Sequence, residues 1–489
     1  MQNRADLDWL LAHRRILLAL AVLCYVPPLF FHYVGEEANY TLMSMEMWHH
    51  HSFRSVVVLG SMGGRPPLYN WLMIPLAWLL GWKHVLVAAR LVTVSATLGT
   101  ALTLGWLARR VVPNPQVASL VPLFYLVTAD VLCYRGWLAY ADPLFSFWMV
   151  LAVSLLWVSS QRRDTRLLFL SLLAILASYL TKVITAYFFY ATAWCILVLH
   201  APYRQWLWSL RAWGTCLAGL VPLLVWWYFA GRHDPIQTSW QEQDITSKLL
   251  GVTSWKNYGI KLVTFPASLA LSLLPSSWVV MRALVQRKRP FSGWPLEARL
   301  ALGIAAINCL PYWIAPQSAA RYVLPAYGFV VLAAVILWTS RLTGEVRSRR
   351  WIVAFLLLGG VVNGLAFPVY QHEVRGENHD EMARFIEQHY YGRTPVYVTD
   401  WSSVGLSVTA LLDSWHFDQP ALTTPPANFK DGLVIAYTPH DVPGTALPPL
   451  RVGAEQTDLI CRGRACLFGS PANLSADPAT AVVHGDGGY

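Results

Sequence analysis

Long apolar runs, parted by short charged or proline-rich connections, recur from Ile16 to Tyr370, and there the pattern stops. A helix needs roughly 20 apolar residues to cross the hydrocarbon core of a bilayer, with about 17 to 25 tolerated. Lipid offers no water to the backbone, so each crossing segment must satisfy its own N–H and C=O groups, as a helix does. About eleven spanning helices are predicted on this basis. They are Ile16–Val34, Leu91–Ala108, Val117–Leu132, Pro143–Ser160, Leu167–Leu180, Val183–Leu199, Trp213–Ala230, Leu262–Met281, Leu300–Ala315, Tyr322–Trp338 and Trp351–Tyr370. Several fall at or below the lower length bound, so length alone does not fix their ends. A further apolar stretch, Leu68–Trp82, is not counted. Counting it would invert every later connection, and its tryptophans suit a helix lying in the interface.

Charge supports lipid as the solvent. Only 13% of the 489 residues are charged, against roughly 25% in soluble domains. The net charge of +10 would suit an anionic partner, but the basic residues sit on alternate connections. On one side fall Arg14 and Arg15, Arg109 and Arg110, Arg162 and Arg163, Arg204 and Arg211, Arg282 to Arg289, and Arg341 to Arg350. The positive-inside rule makes that side cytoplasmic. The basic excess is then a topology signal, and no nucleic-acid partner is expected. No small-residue cleavage site follows Pro27-Pro28, so the first helix is retained.

From Gln371 to Tyr489 the composition is that of a small soluble α/β domain. A helix is predicted at Asp380–Gln388 and strands at Pro395–Val398 and Leu433–Ala436. The chain thus divides into a transmembrane part, 1–370, and an extracytoplasmic domain, 371–489. The domain shows no catalytic motif. Cys461 and Cys466 lie in it, where an oxidising compartment would allow a short-loop disulfide. The other five cysteines fall in or beside apolar spans and are expected to be buried hydrophobes. A long polar connection, Arg232 to Lys261, has the length at which loops are often functional.

With this topology the unusual ionisable residues gather at the outer ends of apolar segments. Glu36 and Glu37 follow the first span, Arg65 precedes Pro66-Pro67, Asp142 opens the fourth span, Lys182 ends the fifth and Arg321 begins the tenth. A charge at such depth is costly unless it is paired or faces a wet cavity, which marks a functional site. Mutual neutralisation of these acids and bases is the structural alternative.

Five short motifs carry a resemblance. Glu36-Glu37-Ala-Asn-Tyr40 resembles the Asp-Glu-x-x-Tyr stretch of GT-C superfamily glycosyltransferases. Gly64-Arg65-Pro-Pro-Leu-Tyr69 is similar to the Glu-Lys-Pro-Pro-Leu-Tyr element of bacterial lipid A aminoarabinose transferases, and to related elements in protein O-mannosyltransferases. Tyr140-Ala-Asp142 resembles the second acidic site of that group, Thr181-Lys182 its Thr-Lys at a helix end, and Arg321-Tyr322-Val-Leu-Pro325 its Arg-Tyr-x-Leu-Pro. The five occur in family order over about two-thirds of the chain. Two departures stand out. Glu36 replaces the usual aspartate, and Gly64 replaces a glutamate that the aminoarabinose enzymes use in binding a metal. His49 to His51 could offer imidazole ligands for a divalent metal, but an exposed histidine run is more often solvated, and no metal or other cofactor is assigned.

The resemblance implies transfer of a sugar from a polyprenyl-phosphate donor to an acceptor hydroxyl on a lipid or glycan, at the outer face of the cytoplasmic (inner) membrane. Such an acceptor must lose a proton as it attacks the anomeric carbon. Glu36 is the first candidate for the base. Asp142 could share that work or stabilise positive charge at the sugar, and Glu37 is a further candidate. Arg65, Lys182 and Arg321 would hold the donor phosphate as it gains charge, Arg321 through a bidentate grip. Tyr40, Tyr69 and Tyr322 are implied in substrate binding. A protein O-mannosyltransferase-like activity fits the same motifs. A lipid-linked saccharide flippase would instead show midplane broken helices and paired halves.

Overall fold

The computed structural model describes residues 2–231, 251, 254–286, 291, 293–340, 342–343, 348–375, 379–398, 403–424, 432–437, 459–462 and 465–469, less Ser55, Gly60, Gly64 and Val183. Most of the long polar connection from Arg232, the Arg287–Arg289 cluster, Arg341, Arg347 and Gly64 lie outside the described residues.

Helices dominate. In chain order they are α1 (Gln2–Leu23), α2 (Glu37–His49), α3 (Leu68–Leu80), α4 (Val85–Val111), α5 (Pro115–Leu126), α6 (Ala141–Arg162), α7 (Thr165–Thr181), α8 (Thr185–Val198) and α9 (Ala201–Leu207). There follow α10 (Leu210–Trp226), α11 (Trp255–Ser272), α12 (Ser276–Val285), α13 (Leu296–Ile314), α14 (Leu324–Thr339), α15 (Ser348–Val361), α16 (His379–His389) and α17 (Ser403–Trp415). Among the described residues six helical segments are long and apolar enough to cross a bilayer, or eight if each of two bent pairs is one span. The chain is therefore polytopic and helical, with fewer uninterrupted long helices than hydropathy predicts.

Two of the predicted spans are broken. Leu262–Met281 resolves into α11 and α12, which meet at 112°. The bend falls at Pro275, which has no N–H to continue the helical ladder. The predicted span Val117–Leu132 holds only the 12 residues of α5, followed by a π-helical turn at Val131–Arg135. Leu68–Trp82 forms the 13-residue α3, too short to cross.

The residues fall into two compact units. The first contains Met1–Leu29, Gly64–Tyr69 and Arg90–Leu365. At its centre is α14, apolar on every side and buried from Leu324 to Trp338 except at Val330, as a helix enclosed by others should be. It packs on α5, α6, α12 and α13. Small residues allow close approach: a Cβ on Gly99 would meet the Phe147 ring at 2.8 Å.

The second unit contains Phe30–Gly63, Asn70–Ala89 and Ala366–Tyr489. Here α17 packs on α2 and α16, beside a hairpin of β1 (Val56–Val58) and β2 (Ser61–Gly63). The remaining strands, β3 (Val396–Val398), β4 (Leu433–Tyr437), β5 (Leu459–Arg462) and β6 (Ala465–Gly469), form a sheet in the order β3-β4-β6-β5. The β3–β4 pair is parallel and the others are antiparallel. Cys466 is disulfide-bonded, and the register sets Cys461 opposite it. This unit is wider than the predicted soluble region, because α2, α3 and the β1–β2 hairpin cluster with the C-terminal elements.

Candidate functional site

The α6–α7 hairpin brings two of the predicted residues together. Arg163, in the left-handed region (φ 54°), ends α6, and the Asp164 carboxylate caps α7 by accepting from the Arg166 N–H at 2.8 Å. The two helices then run back along each other. That places the first turn of α6 beside the last turn of α7, so Asp142 and Lys182, 40 residues apart, form a direct ion pair. The Asp142 side chain is 5% exposed and that of Lys182 20%. Burial of a carboxylate in such a place is tolerable only with a hydrogen-bonded counter-charge.

Arg321 and Tyr322 join them. The Lys182 ammonium lies 4.6 Å from the centre of the Tyr322 ring. The Arg321 guanidinium carbon lies 5.2 Å from that ring and 5.8 Å from the ring of Tyr140, and Arg321 donates to the Tyr322 hydroxyl at 3.3 Å. Aromatic faces hold cations without neutralising them. Tyr312 stacks against Tyr322 with ring centres 6.1 Å apart. Lys261 donates to the carbonyls of Tyr312 and Trp313 at 2.8 and 2.6 Å, closing the C-terminus of α13 that carries Tyr312.

Arg135 belongs to the same neighbourhood, since it and Arg321 both act electrostatically on Asp142. It also faces Asp130 at 3.9 Å, and Asp130 accepts from the Tyr327 hydroxyl at 3.1 Å. Three cations, Lys182, Arg321 and Arg135, thus gather near Asp142 and Asp130. A part-buried, aromatic-walled group of cations is fitted to an oxyanion such as a phosphate.

Arg135 was not among the residues expected from sequence. Its signal was available, as an arginine just past a predicted span end, but it lies in the π-turn that hydropathy cannot distinguish from the helix before it. Tyr69, in the same unit, is buried and its hydroxyl bonds that of Thr93 at 3.1 Å. Arg65 is half-buried. Arg90, also unanticipated, is fully buried, donating to the Pro28 carbonyl at 2.9 Å with its guanidinium 5.8 Å from the Trp137 ring centre.

The acidic motif near the N-terminus lies in the second unit. Glu36 is exposed at the start of α2. Glu37 is fully buried, and its carboxylate accepts from the Val34 N–H at 2.8 Å, which ties down the chain entering α2. Tyr40 is buried, and its carbonyl accepts from Asn70 at 3.1 Å. The His49 ring packs on Phe417 at 4.2 Å. Among the described residues no three His, Cys, Asp or Glu side chains gather as a metal site would require. Two further buried acids stand in this unit. The Glu46 carboxylate accepts from the Leu59 N–H at 2.5 Å, and Asp413 accepts from the Leu422 N–H at 3.0 Å. Burial, with Glu46 nearby, pushes the Asp413 carboxyl well above the usual carboxylate range.

No family model matches the chain. A curated relative, the undecaprenyl phosphate-α-4-amino-4-deoxy-L-arabinose arabinosyl transferase of Edwardsiella ictaluri (strain 93-146), is 36% identical over 89 residues. That stretch spans 18% of this chain and 16% of the relative. Among solved structures, ArnT from Cupriavidus metallidurans bound to undecaprenyl phosphate is similar at a TM-score of 0.67 and 15% identity, over 94% of this chain and 98% of that one. The same protein in the apo state gives 0.66 and 16%, with the same coverage. The fold is that of ArnT.

Proposed function

We propose that this protein is a glycosyltransferase that moves a sugar from a polyprenyl-phosphate carrier to a hydroxyl on a lipid or glycan. The observation that carries the proposal is the cluster of Lys182, Arg321 and Arg135 around Asp142, walled by Tyr322 and Tyr140, on a fold shared with a protein solved with undecaprenyl phosphate. The lipid phosphate gains negative charge as the glycosidic bond to it breaks. Lys182 and Arg321 stabilise that charge, and their positions are fixed before the reaction by the ion pair and the aromatic rings, so little reorganisation is needed. Asp142 acts mainly through Lys182, as a positioning group. Arg65 and Tyr69 extend the donor-binding surface.

Glu36 is the general base. It is exposed at the start of α2, whereas Glu37 is committed to the backbone and keeps a structural role. The chain crosses the cytoplasmic membrane about eleven times, short and bent helices included, with the acidic motif and the C-terminal region outside. The disulfide of Cys466 supports an oxidising compartment for that region. The test is transfer by the purified protein from an undecaprenyl-phosphate sugar to extracted membrane glycolipids, read by mass spectrometry. Sugar added to protein hydroxyls instead would favour the O-mannosyltransferase-like activity, and no transfer to either would overturn the proposal.

A further inference from the structure

A second feature of the first unit has no part in that chemistry. Between α1 and α15 runs an open groove of about 990 Å³. Its walls include Ile16, Leu23 and Leu357, which are 61%, 60% and 67% exposed. At one end stand Trp9, His13, Arg349 and Arg350. At the other, the Cys24 thiol meets the Leu356 carbonyl at 3.8 Å, and Asn363 ties the Cys24 and Leu132 carbonyls at 2.9 Å each. The two glycines of α15 explain the opening. A Cβ on Gly359 would strike Leu132 at 2.5 Å, so that face is packed, while one on Gly360 would meet nothing within 4 Å. The helix is closed on one side and empty on the next.

We propose that this groove binds an anionic phospholipid of the surrounding bilayer, acyl chain along Gly360 and phosphate at Arg349 and Arg350. Charge selects the occupant. Among the described residues no Asp or Glu lines the groove, and the acids Asp6 and Asp8 of α1 lie outside its lining. The Arg349 guanidinium carbon sits 4.4 Å from the Trp9 ring centre, and Trp9 stacks on His13 at 4.4 Å. A cation held on a ring face keeps its in-plane N–H donors available for phosphate oxygens. Arg14, by contrast, is turned back onto the Leu11 carbonyl at 2.9 Å. Basic pockets between spanning helices hold lipid head groups in this way, and tryptophan marks head-group depth. The apolar length of the groove then takes a chain that a free phosphate does not have.

Native mass spectrometry of the full-length protein, titrated with phosphatidylglycerol and with phosphatidylcholine of the same chains, tests this. Wild type should retain phosphatidylglycerol about tenfold or more in preference, and Arg349→Gln with Arg350→Gln should abolish the preference. Gly360→Leu, which has room in the fold and touches neither arginine, should weaken retention of both lipids. Equal retention of the two lipids by wild type, or an unchanged preference in the double variant, would overturn the proposal. Release of phosphatidylglycerol by inorganic phosphate, with full retention in Gly360→Leu, would assign the arginines to a free anion and overturn it too.

Discussion

Removing Asp142 separates two roles that Lys182 could have. Asp142→Asn leaves a side chain of the same shape but no charge, and Lys182, whose side chain is four-fifths buried, loses its counter-charge. Breaking a buried ion pair from one side costs about 3–5 kcal/mol, because the remaining charge is uncompensated. Lys182→Met in the same background removes that charge, and most of the lost stability should return. Thermal unfolding in detergent of the wild type, both single variants and the double variant closes the cycle. Transfer should not return with it. A charge-assisted hydrogen bond to the donor phosphate is worth about 1.5–3 kcal/mol, so the folded double variant should lose about ten- to a hundredfold in kcat/KM for the donor. Wild-type donor kinetics in a stable double variant would refute the reasoning, and Lys182 would then serve only to neutralise Asp142.

Four further outcomes are expected. Glu36→Gln should leave insertion and folding intact and lower transfer by about 10²-fold or more; near-normal turnover in the purified variant would move the base elsewhere. Arg321→Lys keeps the charge but loses the planar fork, so donor kcat/KM should fall about tenfold or more with little change in acceptor KM. A cysteine introduced at Arg54 should react with an impermeant thiol reagent in intact cells and one at Arg163 should not; labelling at Arg163 would invert the topology. Burial holds the His379 ring neutral and pushes its pKa down to about 4. Its unfolded value is near 6.5, so the second unit should keep full stability above that pH and lose up to about 3 kcal/mol as the pH falls towards 4. Hydrogen exchange of α16 peptides across that range checks it, and His379→Phe should flatten the profile.

Much of the candidate cluster was legible because an ionisable residue at the end of an apolar run is costly, so it stands out wherever the fold puts it. Asp142, Lys182 and Arg321 were found in this way. The motif order then suggested the ArnT-like fold that the solved structures bear out. The helix at His379–His389 and the strands at Val396–Val398 and Leu433–Tyr437 were also visible, since their periodicity and breakers are local. The missed features depend on contacts between distant segments. Hydropathy averages over a window, so it joined α11 to α12 across Pro275 and ran α5 into the π-turn that presents Arg135. It also could not tell Glu36 from Glu37. The two are neighbours in one motif, but the turn from Val34 buries one carboxylate against the backbone and leaves the other exposed. Residue identity determined which groups could carry charge into the membrane. Helix pairing decided which of those charges meet, because only an antiparallel return of α7 along α6 brings Lys182 to Asp142.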